Sequence, residues 1–247
     1  MKYLGVVSYY GKAYSGFQRQ RNGLKSIQGE LERALSFALG KKTLIKGAGR
    51  TDAGVNALGQ TFTFDVDKEL KPHFIKLLNH LLPQDISVTR IDACPPSFDA
   101  RHSSVGKVYE YRFSIKGRDP FQYGKLTQLE TEQFDKAVFE QALRYFEGEH
   151  DFQNFTTKAE DKDAFVRTIE PIEIIYDESG NLGRVIFKSN GFMTYQIRLI
   201  MGVCFKAAMG RIEVRTIPCL IDRRPRHIMS FKAPPDGLYL KEVLYGN

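Results

Sequence analysis

The chain has 247 residues, 42% of them hydrophobic and 26% charged, which supplies apolar mass for a buried core and excludes a wholly disordered polymer. Its 36 Lys and Arg outnumber its 29 Asp and Glu, and the net charge of +7 is expected to attract polyanions. No apolar run approaches membrane-spanning length and no charged-then-apolar leader follows Met1, so a cytoplasmic protein with no membrane partner is expected.

Residues 3–9 open the chain as a β-rich run. Ser26 is a candidate N-cap with Glu30 in the first turn. Ile27, Leu31, Ala34, Leu35, Ala38 and Leu39 then repeat at helical spacing, and Gly40 offers a stop. Residues 42–47 and 60–66 are expected to flank a glycine-rich loop as strands. Residues 74–82 carry Phe74, Leu77, Leu78 and Leu81 on one helical stripe, and 86–93 form a closing strand. Cys94-Pro95-Pro96-Ser97 marks a boundary, which divides the chain into halves 1–100 and 101–247.

Beyond it, residues 107–115 alternate as a strand and 131–146 are periodic as a helix. Residues 168–176 and 183–189 make a hairpin across Ser179-Gly180-Asn181, 194–209 form a strongly apolar helix, and 238–245 end as a strand. The class is α+β. The order suggests two successive β-α-β-β-α-β halves, each of ferredoxin-like or RNA-recognition-module (RRM-like) topology, with no residue-level repeat.

The most informative segment is Gly47-Ala48-Gly49-Arg50-Thr51-Asp52-Ala53-Gly54-Val55-Asn56-Ala57-Leu58-Gly59-Gln60. It sets one carboxylate among small residues, so the backbone turns sharply and a planar partner can come close. A carboxylate so placed serves as nucleophile or base; the plainer alternative is an Asp in a Gly-rich turn. Arg198 sits among Ile197, Leu199, Ile200 and Met201, where it either meets an anionic partner, snorkels or pairs structurally. On strand 107–115, Tyr109 and Tyr111 share a face, as core or as a platform for an extruded base.

The loop Tyr9-Tyr10-Gly11-Lys12-Ala13-Tyr14-Ser15-Gly16-Phe17-Gln18-Arg19-Gln20-Arg21 mixes basic, amide and aromatic groups suited to RNA. Arg101, and a late run of Arg223, Arg224, Arg226 and Lys232, are candidates for phosphate contact or simply a solvated face. Three cysteines (Cys94, Cys204, Cys219) and five scattered histidines show no metal-like spacing, so neither a metal site nor a disulfide is expected.

Gly49 through Ala57 closely resembles the catalytic motif of the TruA family of tRNA pseudouridine synthases, GRTDAGVHA, with eight of nine positions matched and Asn56 in place of the usual His. Gly191-Phe192-Met193-Thr194-Tyr195-Gln196-Ile197-Arg198 resembles the family motif whose Arg pairs with the catalytic Asp. Gln196 departs from the apolar residue usual there and is closer to the related RluA branch. Tyr109-Glu110-Tyr111 resembles the family's Tyr-X-Tyr strand. The opening loop resembles Tyr-Asp-Gly … Gly-Trp-Gln-Arg-Gln, with Tyr10 for the Asp and Phe17 for the Trp, and residues 233–240 resemble the family's ending.

The resemblance implies that both halves join in one large, mostly antiparallel sheet with a central catalytic cleft, the last strand closing the second half. It implies isomerisation of uridine in the anticodon stem-loop of tRNA, by a homodimer that needs neither cofactor nor metal. Asp52, Arg198 and Tyr109 would be catalytic, with Arg198 holding Asp52 ionised and Tyr109 stacking on the uracil. Arg50, Thr51, Asn56, Gln18, Arg19 and Arg101 would contact substrate. Two alternatives are a non-catalytic RNA-binding protein on the same scaffold, and a hydrolase using Asp52 as base. The intact Asp52, Arg198 and Tyr109 oppose the first, and the lack of a second catalytic carboxylate or Ser-His arrangement opposes the other.

Overall fold

The computed structural model describes residues 1–20, 23–157, 165–222, 224 and 226–246. They fall into two compact units, residues 1–105 with 239–247 (unit 1) and residues 106–238 (unit 2). The division lies a few residues beyond the expected 100/101 boundary. Arg21 and Arg223 lie outside the described residues.

Unit 1 runs β1 (Lys2–Tyr9), α1 (Ile27–Leu39), β2 (Lys46–Gly47), β3 (Asn56–Asp65), α2 (Phe74–Leu81) and β4 (Ile86–Cys94). The alternation in β1 is real, with every second residue buried. β1 pairs antiparallel with β3, from Lys2↔Asp65 to Tyr9↔Ala57, and antiparallel with β4 on its other side. β2 pairs antiparallel with β3 at Lys46↔Thr63. The strand order β4-β1-β3-β2 therefore accompanies a β-α-β-β-α-β chain order.

α1 starts where Ser26 accepts a hydrogen bond from Gly29 N and stops where Gly40 takes the left-handed conformation at φ 66. Its Ile27, Leu31, Ala34 and Leu35 are buried with Val7, Phe62, Phe64 and Leu78, each fully buried side chain of this size contributing about 1.5–3 kcal/mol. On α2, Phe74 and Leu78 are buried but Leu77 is 40% exposed, so the expected stripe is narrower. β2 is only two residues of the expected six, and β3 begins four residues before the expected start at Gln60.

Unit 2 runs β5 (Ser104–Ser114, in this unit from Gly106), β6 (Thr127–Gln128), α3 (Lys136–Arg144), β7 (Gly148–Asp151), β8 (Val166–Ile169), β9 (Glu173–Tyr176), β10 (Leu182–Ser189), α4 (Gln196–Ala208) and α5 (Ile217–Asp222). Full β5–β10 pairing is antiparallel, with Tyr109 opposite Phe187 and Tyr111 opposite Val185. β6, β7 and α5 were not expected, and the expected strand 168–176 is broken into β8 and β9. Pro171 lies in the gap, where Glu170 N bonds Lys188 O and Ile172 N bonds Glu147 Oε1. The β9–β10 hairpin turns where expected, with Asp177 Oδ1 accepting from Asn181 N and Leu182 N and Gly180 at φ 67.

The expected helix 131–146 shortens to nine residues because Asp135 caps it, accepting from Val138 N at 3.0 Å. Core packing in unit 2 centres on Phe113, Phe134, Phe139 and Phe205, whose ring centroids lie 5.2–6.4 Å apart. The last strand, β11 (Leu238–Tyr245), belongs to unit 1 from Tyr239 onward. It pairs in parallel with the start of β3, Tyr239↔Asn56 and Leu240↔Ala57, so it completes the first unit where the expectation had it closing the second half. Among the described residues no helix is long and apolar enough to cross a membrane.

Candidate active site

In unit 1 the Asp52 loop is held from three sides. Ala48 N donates to Thr61 O at 2.9 Å on the side of β3, and Gln60 Nε2 donates to Gly49 O at 3.2 Å. Thr51 is buried; its O accepts from Phe17 N at 3.1 Å and its hydroxyl shares a 2.8 Å hydrogen bond with the Tyr9 hydroxyl. Burial raises the Tyr9 pKa well above the ordinary tyrosine range, against lowering by its Thr51 and Gln60 hydrogen bonds, so it stays a neutral hydroxyl.

Past Asp52, a turn with Gly54 at φ 78 brings Val55 N to Asp52 O at 3.1 Å, and Gly54 N donates to Tyr14 O at 3.3 Å. Asp52 itself is half-buried.

Asn56, expected to touch substrate, is 0% exposed, and its Oδ1 accepts from Gly11 N at 2.8 Å. It shapes the loop from inside. Thr51 is likewise buried at 7% exposure. Gly11 is the other half of this clasp: a Cβ there would stand 2.0 Å from Val55 O. Phe17, in the place of the family's Trp, is core, 2% exposed with its ring 6.3 Å from that of Tyr9.

Arg50 and Gln18 are exposed. Arg19 is also exposed, but its guanidinium pairs with Glu32 at 2.8 Å, and its N donates to Gln28 Oε1. Arg101 is exposed on a turn where Asp99 Oδ1 accepts from Arg101 N and His102 N, bonds that lower the Asp99 pKa.

In unit 2, Tyr109 is 8% exposed and meets Phe192 edge-on, centroids 5.3 Å apart at 84°. Tyr111 is fully buried, hydrogen-bonded to Thr127 Oγ1 at 2.6 Å and to Pro234 O at 2.8 Å, with its pKa raised by burial, which places it in the core. Arg198 is 7% exposed in the first turn of α4, and its Nε donates to Ala233 O at 2.8 Å. With Nε so occupied, a carboxylate would be gripped end-on by the two Nη groups.

Two described members of the late basic run have partners within the protein. Arg224 pairs with Asp151 at 2.9 Å, and Arg226 donates to Gln153 O and Thr156 O, both at 2.8 Å. Among the described residues no group of three or more His, Cys, Asp or Glu could hold a metal ion, and all three cysteines are free. Tyr9, Gly11 and Gln60 lie in segments that stood out in the sequence, but their part in holding the loop was not assigned there, since it depends on partners elsewhere in the chain.

The sequence model of a family described as "tRNA pseudouridine synthase" matches residues 6–103 and 142–246. The chain is 34% identical over 250 residues to tRNA pseudouridine synthase A of Streptococcus gordonii, covering 99% of this chain and 98% of that one. It is 35% identical over 251 residues to the protein of the same name from Streptococcus pneumoniae serotype 19F, with the same coverage. Among solved structures, one of an H/ACA ribonucleoprotein bound to a substrate RNA containing 2'-deoxyuridine aligns at 14% identity and a TM-score of 0.37. That match covers 83% of this chain and 43% of the other, and is too loose to bear on the fold. The full-length relatives and the matched family model agree: the chain belongs to the tRNA pseudouridine synthase family.

Proposed function

We propose that this chain isomerises uridine to pseudouridine in the anticodon stem-loop of tRNA, with Asp52 as its essential carboxylate. The reaction breaks the bond between ribose C1′ and uracil N1, turns the base, and joins C1′ to C5. The C5 proton is lost and N1 gains one, so no redox partner is called for. An ionised Asp52 attacks the ribose or the ring, or steadies charge as the base departs. Arg198 is the cation that keeps this carboxylate ionised and aimed during turnover, and Tyr109 stacks on the target uracil, worth ~1–3 kcal/mol per base. The base reaches them flipped out of its stack.

The observation that carries this reading is the Asp52 loop. A half-buried carboxylate stands in a turn whose neighbours on both sides are tied to buried backbone and side-chain partners. Such fixed placement is what a nucleophile aimed at one carbon needs. Arg50, Gln18, Arg19 and Arg101 are exposed and suit contact with RNA phosphates. We read unit 1 as ferredoxin-like from its strand order, and the active species as a cytoplasmic homodimer.

The test is release of tritium from tRNA labelled at uridine C5. Asp52→Asn should abolish it, because an amide cannot act as a carboxylate nucleophile, while tRNA affinity changes little since phosphate contacts dominate binding. Residual turnover within tenfold of wild type would remove Asp52 from the mechanism.

A further inference from the structure

We infer that Tyr195 is a positioning residue that aims Arg198, an inference resting on the role proposed above for Arg198. Tyr195 is the one non-glycine with positive φ among the described residues, at φ 64 and ψ 2, immediately before α4. The left-handed conformation costs a residue with a Cβ about 1–2 kcal/mol. A sequence keeps such a residue only where its surroundings hold it there, and such places cluster at working sites.

The surroundings are specific. Tyr195 O accepts from Leu199 N at 2.9 Å, opening the first turn of α4. Before it, Met193 N donates to Gln196 Oε1 at 2.9 Å and Gln196 N donates to Met193 O at 3.1 Å, so the unusual Gln196 clamps the turn that forces Tyr195 left-handed. The half-buried Tyr195 ring lies 5.3 Å from Arg198 Cζ and 4.0 Å from Lys232 Nζ, both within cation–π range.

Arg198 is tied to the same segment. Its Nε donates to Ala233 O, and Ala233 N returns a 2.8 Å bond to Arg198 O. One turn further, Gly202 permits the close approach: a Cβ there would stand 1.9 Å from Phe231 O. Residues 231–233 are thus laid along α4. The carbonyl of Ala233 fixes the inner nitrogen of the guanidinium, and the Tyr195 ring limits how its plane swings.

The strain makes the role separable from stability. Tyr195→Asn removes the ring but suits the left-handed conformation, so folding should be unharmed or improved. We expect its kcat to fall about tenfold, with KM for tRNA and the melting temperature essentially unchanged. Tyr195→Phe, which keeps the ring, should retain wild-type kcat.

A wild-type kcat in Tyr195→Asn overturns the inference, as does equal impairment in Tyr195→Phe. A rise in KM would make the ring a substrate contact, and a parallel drop in melting temperature would make it merely structural; either overturns it too. Arg198→Ala is measured beside them. If that variant turns over normally, the role of Arg198 has failed and Tyr195 falls with it. If it is inactive while Tyr195→Asn is normal, only the present inference fails.

Discussion

Gly11→Ala tests whether the Asp52 loop is held as tightly as its packing implies. Gly11 is not in the left-handed region, so the added methyl acts by sterics alone. Its Cβ would lie 2.0 Å from Val55 O, 2.6 Å from Val55 C and 3.1 Å from Gly54 C, all backbone. Reaching even the 3.0 Å that real Cβ atoms respect requires about 1 Å of separation, and no flexible side-chain end can yield it.

The backbone that must move is the turn following Asp52, since Val55 N is bonded to Asp52 O, and the Gly11–Asn56 bond stretches with it. A misplacement of this size costs on the order of 100-fold in rate, and the overpacking costs about 1–3 kcal/mol of stability. Initial rates of tritium release at saturating tRNA measure the first, and urea denaturation the second. A folded variant with kcat within threefold of wild type refutes the idea that this clasp sets the position of Asp52.

Asn56→His, which restores the family's usual residue, should keep turnover within about threefold, because a neutral ring nitrogen can accept from Gly11 N as Oδ1 does. The larger ring in a fully buried place should lower stability by ~1–3 kcal/mol in urea denaturation; loss of all activity would mean that the loop here is built differently. Arg198→Lys should lose most turnover, since Lys keeps the charge but neither the planar fork nor the Nε donor to Ala233 O. Its activity should also fail at higher pH on acidification: a less tightly paired carboxylate has a higher pKa and protonates sooner, so an unchanged pH–rate profile counts against the pairing. Native protein titrated with a thiol reagent should react first at exposed Cys219 and stay silent at Cys204, whose thiol burial pushes well above its ordinary pKa; prompt labelling of Cys204 refutes this.

The parts legible in sequence were those whose cause is local. Ser26 and Gly40 bound α1 because a hydroxyl acceptor and a residue without Cβ solve the ends of a helix chemically. Asp52 stood out through its small neighbours. What escaped depends on contacts distant in the chain. Asn56 looked like a polar loop residue until Gly11 claimed its oxygen, a partner 45 positions away. Arg226 stood as a candidate for phosphate contact or a solvated face, and neither reading foresaw that the carbonyls of Gln153 and Thr156, about 70 positions earlier, accept from its Nε and Nη2. β7 and β8 are short strands whose pairing with each other offsets a pattern too brief to read alone.

The parallel pairing of β11 with β3 has a consequence for how the chain is made. Unit 2 is an insertion: all of it leaves the ribosome between β4 and the strand that completes unit 1. Synthesis proceeds from the N-terminus, so residues 1–105 wait with the far edge of β3 at Asn56–Ala57 unpaired while unit 2 emerges. The start of β3 lies directly after the Asp52 turn, so the segment carrying the carboxylate gains its last backbone partner only when residues 239–240 arrive. Within these residues unit 1 is begun first and finished last.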